Sequence, residues 1–284
     1  MSFKQYLRDE VTKGLDETYK ADAAWAKNHP GRGYFDVHLS TIENHEMAAP
    51  IFRRYLGQGG MKVLESGCGS GRWMAYFEKL GNQAYGVDDS TGPLLLAREH
   101  DPDMRLVRSN ALATPFPDNS FDAVLSSYVA EHFEEGPEVL FREIHRVLKP
   151  GGIFFVVVPF NNTFRRYVVN PALMALWQVW KWRGKGFGFT EFRYVQPEME
   201  GFLRRTDFDI VEVEPDDYFE PWQKGLFCDV CDVGCFFNYA HQPPFEFGPV
   251  GRAIAKVLRS VSPWFAAGGI FFVARARKQG DQRS

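Results

Sequence analysis

The stretch Lys62–Arg72, KVLESGCGSGR, decides how this sequence is read. It opens on a short apolar run and an acid, Val63-Leu64-Glu65. A glycine-rich turn follows, Gly67-Cys68-Gly69-Ser70-Gly71, and a helical pattern begins at Arg72. Strand, glycine turn and helix let backbone approach a nucleotide-like ligand closely, because glycine has no Cβ to clash and accepts φ > 0. The dinucleotide fingerprint G-x-G-x-x-G asks for a third glycine where this chain has Arg72. Glu65 adds a charge argument. A carboxylate just before the turn repels a pyrophosphate held at the helix N-terminus and attracts a ligand carrying an ammonium.

Working outward, Met61–Phe160 alternates strand and helix. Strands are expected at Lys62–Ser66, Gln83–Val87, Met104–Arg108, Phe121–Ser126 and Gly152–Val158. The last of these reads GIFFVVV, a continuous apolar run that suits a strand covered on both faces. In Pro137–Leu148 the residues Leu140, Ile144, Val147 and Leu148 share one helical face, and Lys149-Pro150-Gly151-Gly152 ends the helix. Two further strands are expected at Phe208–Glu214 and Gly269–Arg275. The fold class is therefore α/β: a doubly wound, mostly parallel seven-stranded sheet, Rossmann-like, with ligands at the carboxyl ends of the strands. Asp88 ends the second strand in GVDDS, beside Asp89. An acid about 20 residues past the glycine turn is placed to accept both hydroxyls of a ribose, while the plainer role for the pair is a charge at a helix N-terminus. Asn110-Ala111 follows the third strand, where an amide and a backbone N–H suit an adenine edge or a simple turn.

The run VLESGCGSGRW, YGVDDS, RSNALATPFPDNSFDAVLSSYVAEHF and REIHRVLKPGGIFFVVVP resembles the class I S-adenosylmethionine-dependent methyltransferases, within them the broad group that modifies small molecules and lipids. The resemblance covers about Met61–Phe160. It implies S-adenosyl-L-methionine as cofactor, a ligand with an ammonium and a sulfonium and no phosphate. It also implies that Glu65, Gly67, Cys68 and Gly69 hold the methionine portion, Asp88 with Asp89 the ribose, and Asn110-Ala111 the adenine. Many members carry Asp where this chain has Asn110; either residue bonds an adenine amino group. Ser126–His132 should border the methyl group, with Ser127 at the cofactor and His132 as the candidate general base. The bland role for His132 is a bond to nearby backbone. Neither Asn-Pro-Pro-Tyr nor Asp-Pro-Pro-Tyr follows the fourth strand, which argues against nucleobase amino groups as acceptors. Nothing resembles the acidic magnesium site of catechol methyltransferases. The rival readings are a dinucleotide-dependent oxidoreductase, opposed by Glu65 and Arg72, and a non-catalytic scaffold that keeps the cofactor site.

Outside that core the chain divides into residues 1–60, an N-terminal helical segment or lid; 161–205, an inserted cap; 206–276, the last two strands with a second cap insertion at 215–268; and a polar tail, 277–284. In the first insertion Asn170 reads as a helix N-cap and Pro171 as the first helical residue. Leu173, Leu176, Trp177 and Trp180 line one face, yet Met174, Val179 and Trp182 make the helix apolar nearly all round. Arg165, Arg166, Lys181, Arg183 and Lys185 flank it like the rim of an interfacial helix. The segment thus suits cap packing, a pocket for a lipophilic acceptor, or peripheral membrane contact through residues 164–185. Cys228, Cys231 and Cys235 are spaced to bind zinc with a fourth ligand such as His241, but no second ligand cluster accompanies them, so free thiols and no metal are expected. The 26 Phe and 7 Trp feed an aromatic-rich helical cap. A net charge of −3 gives no footprint for nucleic acid. Met1–Lys20 is charged throughout, which with the expected reduced thiols suits a cytoplasmic protein. A small, hydrophobic acceptor is the expected partner, and the oligomeric state is not legible.

Overall fold

The computed structural model describes residues 1–8, 42, 47–184, 187–218, 226, 237–238 and 246–278. In chain order these give β1 (Phe3–Arg8), α1 (Ala48–Leu56), β2 (Lys62–Ser66), α2 (Arg72–Lys79), β3 (Gln83–Asp88), α3 (Thr91–His100), β4 (Arg105–Arg108) and β5 (Phe121–Ser127). After a 3₁₀ turn at Ala130–His132 come α4 (Glu138–Val147) and β6 (Leu148–Pro159). A π turn at Arg165–Val169 leads into α5 (Asn170–Trp182), then β7 (Phe187–Arg193), α6 (Gln196–Arg205) and β8 (Phe208–Asp216). The short β9 (Phe237–Asn238) and β10 (Glu246–Phe247), α7 (Pro249–Val261), α8 (Pro263–Ala266) and β11 (Gly269–Ala276) complete the chain.

Seven strands form the main sheet in the order β4-β3-β2-β5-β6-β11-β8. Neighbours from β4 to β6 pair parallel, and β11 runs antiparallel between β6 and β8. The alternation of β6 explains why a sheet is stable here. Phe155 and Val157 join Phe52, Trp73, Phe77 and Phe271 on the α1–α2 side. Phe154, Val156 and Val158 join Leu140, Ile144, Met199 and Phe272 on the α4–α6 side. Phe52 sits edge-on to Trp73 at 4.9 Å, Phe77 at 5.0 Å and Phe155 at 5.1 Å, locking α1 to the sheet. The chain leaves β2 toward β3 and β4, then crosses back to β5 and β6. The strand order therefore reverses between β2 and β5, and the crevice opens at their carboxyl ends.

Two sequence expectations need correction. Met1–Leu56 reads as helical, yet Phe3–Arg8 is a strand paired antiparallel with Phe187–Arg193. Its partner lies far along the chain, and the aromatic side chains it meets decide its state: Phe3 stacks on Trp177 at 5.5 Å and the Lys4 ammonium sits 5.3 Å from the Phe192 ring. Asn170 is not an N-cap. It lies in helical conformation and continues the preceding turn, its N–H donating to the Arg165 carbonyl, while its side-chain amide donates to Asn161 Oδ1 at 2.8 Å.

Candidate active site

The glycine turn closes on the end of β3. The backbone N–H groups of Gly67 and Cys68 both donate to the Val87 carbonyl, at 2.8 and 2.9 Å. Gly67 has φ +79°, and a Cβ there would lie 2.3 Å from a Val129 methyl, so any side chain would push the turn off the β5 connection. Gly69 also lies in the left-handed region, at φ +51°. Cys68 is buried beneath the turn, against Gly86, where an added Cβ would come within 2.7 Å of its sulfur. Burial, with the Glu65 and Asp88 carboxylates nearby, holds its thiol well above the ordinary range, so it packs as a neutral group.

The two carboxylates differ. Glu65 is buried, and its Oε2 has no hydrogen-bond partner among the described residues. Burial raises its pKa to about 8, against the opposing pull of the Arg72 guanidinium and the Met74 N–H. An unmatched buried carboxylate oxygen at the carboxyl end of β2 fits a ligand that brings N–H donors and positive charge. Asp88 is already employed: Oδ2 accepts from the Gly69 N–H at 2.8 Å and Oδ1 from the Ser90 N–H at 2.9 Å. It ties the glycine turn to β3, and each oxygen keeps a second lone pair for a hydroxyl. Asp89 is exposed beside it; its carboxylate accepts from the Ser90 hydroxyl at 3.3 Å. Asn110 is exposed after β4, with Oδ1 accepting from the Leu112 N–H at 2.8 Å in a local turn, and Ala111 is half-buried next to it.

Ser127, at the end of β5, lines a narrow cleft with Phe52, Arg72, Trp73, Tyr128 and Asp216. The Arg72 guanidinium lies 4.6 Å from the Trp73 ring. Tyr128 has φ +56°, a conformation that costs a bulky residue about 1–3 kcal/mol. Its N–H donates to the Val157 carbonyl at 2.9 Å and its hydroxyl to Asp216 Oδ2 at 3.1 Å, bridging β5 to the end of β8. Burial and the Asp216 carboxylate hold the phenol well above its ordinary pKa, so it remains a donor. Gly269 makes this bridge possible, since a Cβ there would lie 2.4 Å from the Tyr128 hydroxyl. Sequence reading passed over Asp216, and it named Tyr128 only within Ser126–His132 and Arg72 only against a dinucleotide, without giving either a place in the cleft.

In the turn after β5, Glu131 and His132 face different environments. The His132 side chain is 53% exposed, and its Nε2 lies 3.9 Å from Oε1 of the buried Glu131. Burial raises the Glu131 pKa to about 7, partly offset by His132. The turn packs against β7, so the ribbon that begins the chain sits over the strand end where the acceptor is expected. Cys228, Cys231, Cys235 and His241 lie outside the described residues. Among the described residues no cluster of three or more His, Cys, Asp or Glu could hold a metal.

Residues 64–156 match the family described as a methyltransferase domain. Curated relatives include the demethylmenaquinone methyltransferase of Geobacillus stearothermophilus, 36% identical over 111 residues, covering 36% of this chain and 47% of the relative. Another is a probable S-adenosylmethionine-dependent methyltransferase of Mycolicibacterium smegmatis, 32% identical over 115 residues, covering 39% of this chain and 44% of the relative. The chain spans about half the length of the curated relatives it matches. Among solved structures, an S-adenosylmethionine-dependent methyltransferase from Methanosarcina mazei aligns with TM-score 0.55 at 16% identity, over 81% of this chain and 98% of that one. Geranyl diphosphate C-methyltransferase from Streptomyces coelicolor aligns with TM-score 0.54 at 15% identity, over 89% and 87%. At these identities the structural likeness carries the fold alone.

Proposed function

We propose that this chain, whose residues 64–156 match a methyltransferase domain, is a class I S-adenosylmethionine-dependent methyltransferase that methylates a small, hydrophobic acceptor at oxygen, nitrogen or carbon. The observation that carries the reading is Glu65: a buried carboxylate oxygen at the head of the glycine turn, with no partner among the described residues, suits a cationic donor and not a pyrophosphate. S-adenosylmethionine, when bound, supplies an electrophilic methyl on a sulfonium. Glu65 is then the counter-charge for the ammonium, and the turn at Gly67, Cys68 and Gly69 lies along the methionine portion. Asp88, with Asp89 beside it, accepts from the ribose hydroxyls. Asn110 and Ala111 take the adenine edge, and Ser127 lines the approach to the methyl. Alignment and exclusion of water do most of the work in such a transfer. Where the acceptor carries a proton of high pKa, His132 Nε2 takes it, and the resulting imidazolium is stabilised by the Glu131 carboxylate.

The curated relatives support a lipophilic acceptor, and demethylmenaquinone, the compound in their names, is the first to test. Incubation of the full chain with methyl-labelled cofactor and a lipid extract containing it should place label in an organic-soluble product. Titration calorimetry should give micromolar binding of S-adenosylhomocysteine and none of NADH, with Asp88→Ala weakening the first by about 1.5–3 kcal/mol. Absence of adenosyl-compound binding would sink the reading. Binding without label transfer to any acceptor would instead favour a scaffold.

A further inference from the structure

The outward surface of α5 points to a partner that the transfer reaction does not require. Val169, Leu173, Leu176, Trp177 and Trp180 turn toward the protein, fully or partly buried. On the opposite side Tyr167, Val168, Met174, Val179 and Trp182 are exposed, Trp182 at 87%. The same side adds Pro171, Ala172 and Ala175, with Gln178 its one uncharged polar residue. A helix facing water normally carries charge there, and a contiguous apolar face of this kind marks an interaction surface.

The charges around that face select the occupant. Arg166 stands at its beginning, and Lys181 and Arg183 at its end, all exposed. No Asp or Glu occurs anywhere from residue 161 to residue 190. The adjoining α7, which packs against the start of this segment through Ile254, Leu258 and Phe164, repeats the pattern. It exposes Val250, Val257 and Val261 with Arg252 and Lys256, and it too lacks acids. A second copy of this chain docked through the same face would set these cations against one another, with no acid in residues 161–190 to offset them. A surface of anionic lipid headgroups meets both requirements: the apolar side chains enter the acyl boundary, and long cationic side chains reach phosphates at its edge. No described helix is long and apolar enough to cross a membrane, so the helix would lie in the interface plane.

We infer that the outward face of α5, rimmed by Arg166, Lys181 and Arg183, docks this protein reversibly on an anionic membrane surface. Trp182 is the anchoring side chain at the polar boundary. The inference concerns the surface alone and stands or falls apart from the methyl transfer, although a membrane-borne acceptor would be presented by such docking.

The test is sedimentation of the full chain with sucrose-loaded vesicles of phosphatidylglycerol and phosphatidylcholine in equal parts, beside vesicles of phosphatidylcholine alone. Partition into the anionic vesicles should exceed that into neutral ones by about tenfold or more and fall with salt. The double variant Val179→Ser/Trp182→Ser should lose about tenfold of it. Lys181→Gln/Arg183→Gln should lose a similar factor and flatten the salt dependence. Both variants should bind S-adenosylhomocysteine as the parent does, which shows that they fold. Three results would overturn the inference: no sedimentation with either vesicle, equal sedimentation of parent and apolar variant, or a dimer in analytical ultracentrifugation that Trp182→Ser converts to monomer.

Discussion

Phe155 in β6 and Phe3 in β1 are both strand aromatics, and they are held in different ways. Phe155 has no exposed surface and meets Phe52 at 5.1 Å and Phe271 at 6.1 Å across two elements. Phe3 keeps part of its surface in water and stacks on one partner, Trp177. The sheet is over-determined, because each aromatic is fixed by several neighbours. The ribbon of β1 and β7 is built by pairing two distant parts of the chain, with Phe3 on Trp177 and the Lys4 ammonium against the Phe189 and Phe192 rings. The first region positions a cofactor site, and the second can change without dismantling it.

The largest effect should come from the sheet. Phe52 links α1 to Trp73, Phe77 and Phe155, so Phe52→Ala should cost about 3–5 kcal/mol by the loss of transfer energy and the cavity left behind. Urea denaturation with an unchanged slope would show it. A loss below about 1 kcal/mol would mean that α1 is held no better than the ribbon.

Glu65 sharpens the same contrast through pH. Its carboxyl in the free protein is protonated up to about pH 8, while an ammonium-bearing ligand needs the carboxylate. Binding of S-adenosylhomocysteine should therefore release a proton, and affinity should rise by up to about tenfold per pH unit between about pH 6 and about pH 8, then level off. Calorimetry in buffers of different ionisation enthalpy reads the proton directly. Stability of the free protein moves the opposite way. A carboxyl whose folded pKa is raised contributes fully below its unfolded value and loses that contribution as pH climbs through about 8. Glu65→Gln should flatten both profiles. A pH-independent affinity in the parent would show that the carboxylate does not meet the ligand's charge.

The contrast also explains what could be read from the sequence. β2 is found at the expected Lys62–Ser66, and β3, β5, β8 and β11 differ from expectation by a residue or two at one end. Each is a short apolar run closed by turn residues, a local signal. The seven-stranded, mostly parallel sheet followed from their alternation with helices. β1 was misread because FKQYLR carries no pattern of its own and becomes a strand only where Phe187–Arg193 pairs with it. At the site, Glu65 and Asp88 could be picked out by type and spacing along one stretch. Tyr128 could not. Its positive φ and its bond to Asp216 depend on β5, β8 and the missing side chain of Gly269 meeting in space.

Tyr128→Phe tests that meeting. Asp216 is largely buried and would lose a donor, so about 1–2 kcal/mol of stability should go. The strained backbone would stay, since the Val157 carbonyl still holds it. Gly269→Ala, which sets a methyl against the hydroxyl, should cost at least as much, and in the Tyr128→Phe background it should cost less than alone. Strict additivity of the two changes would mean that the glycine and the phenol do not share one space.

The smallest effect belongs to the ribbon. Phe3→Ala removes one stacked contact, worth about 0.5–1.5 kcal/mol, and leaves the backbone pairing of β1 with β7 in place. Its thermal midpoint should fall by only a few degrees. Affinity for S-adenosylhomocysteine should stay within about twofold of the parent, because β1 pairs with β7 in a separate ribbon and not with β2 or β3, which carry Glu65 and Asp88. The acceptor is different, since β7 packs on the turn that carries Glu131 and His132, and β1 steadies β7. KM for the acceptor should rise while cofactor affinity holds. If Phe3→Ala instead weakened the cofactor as much as Asp88→Ala, the ribbon would be part of the cofactor site, and the division between a rigid sheet and an adjustable cover would fail.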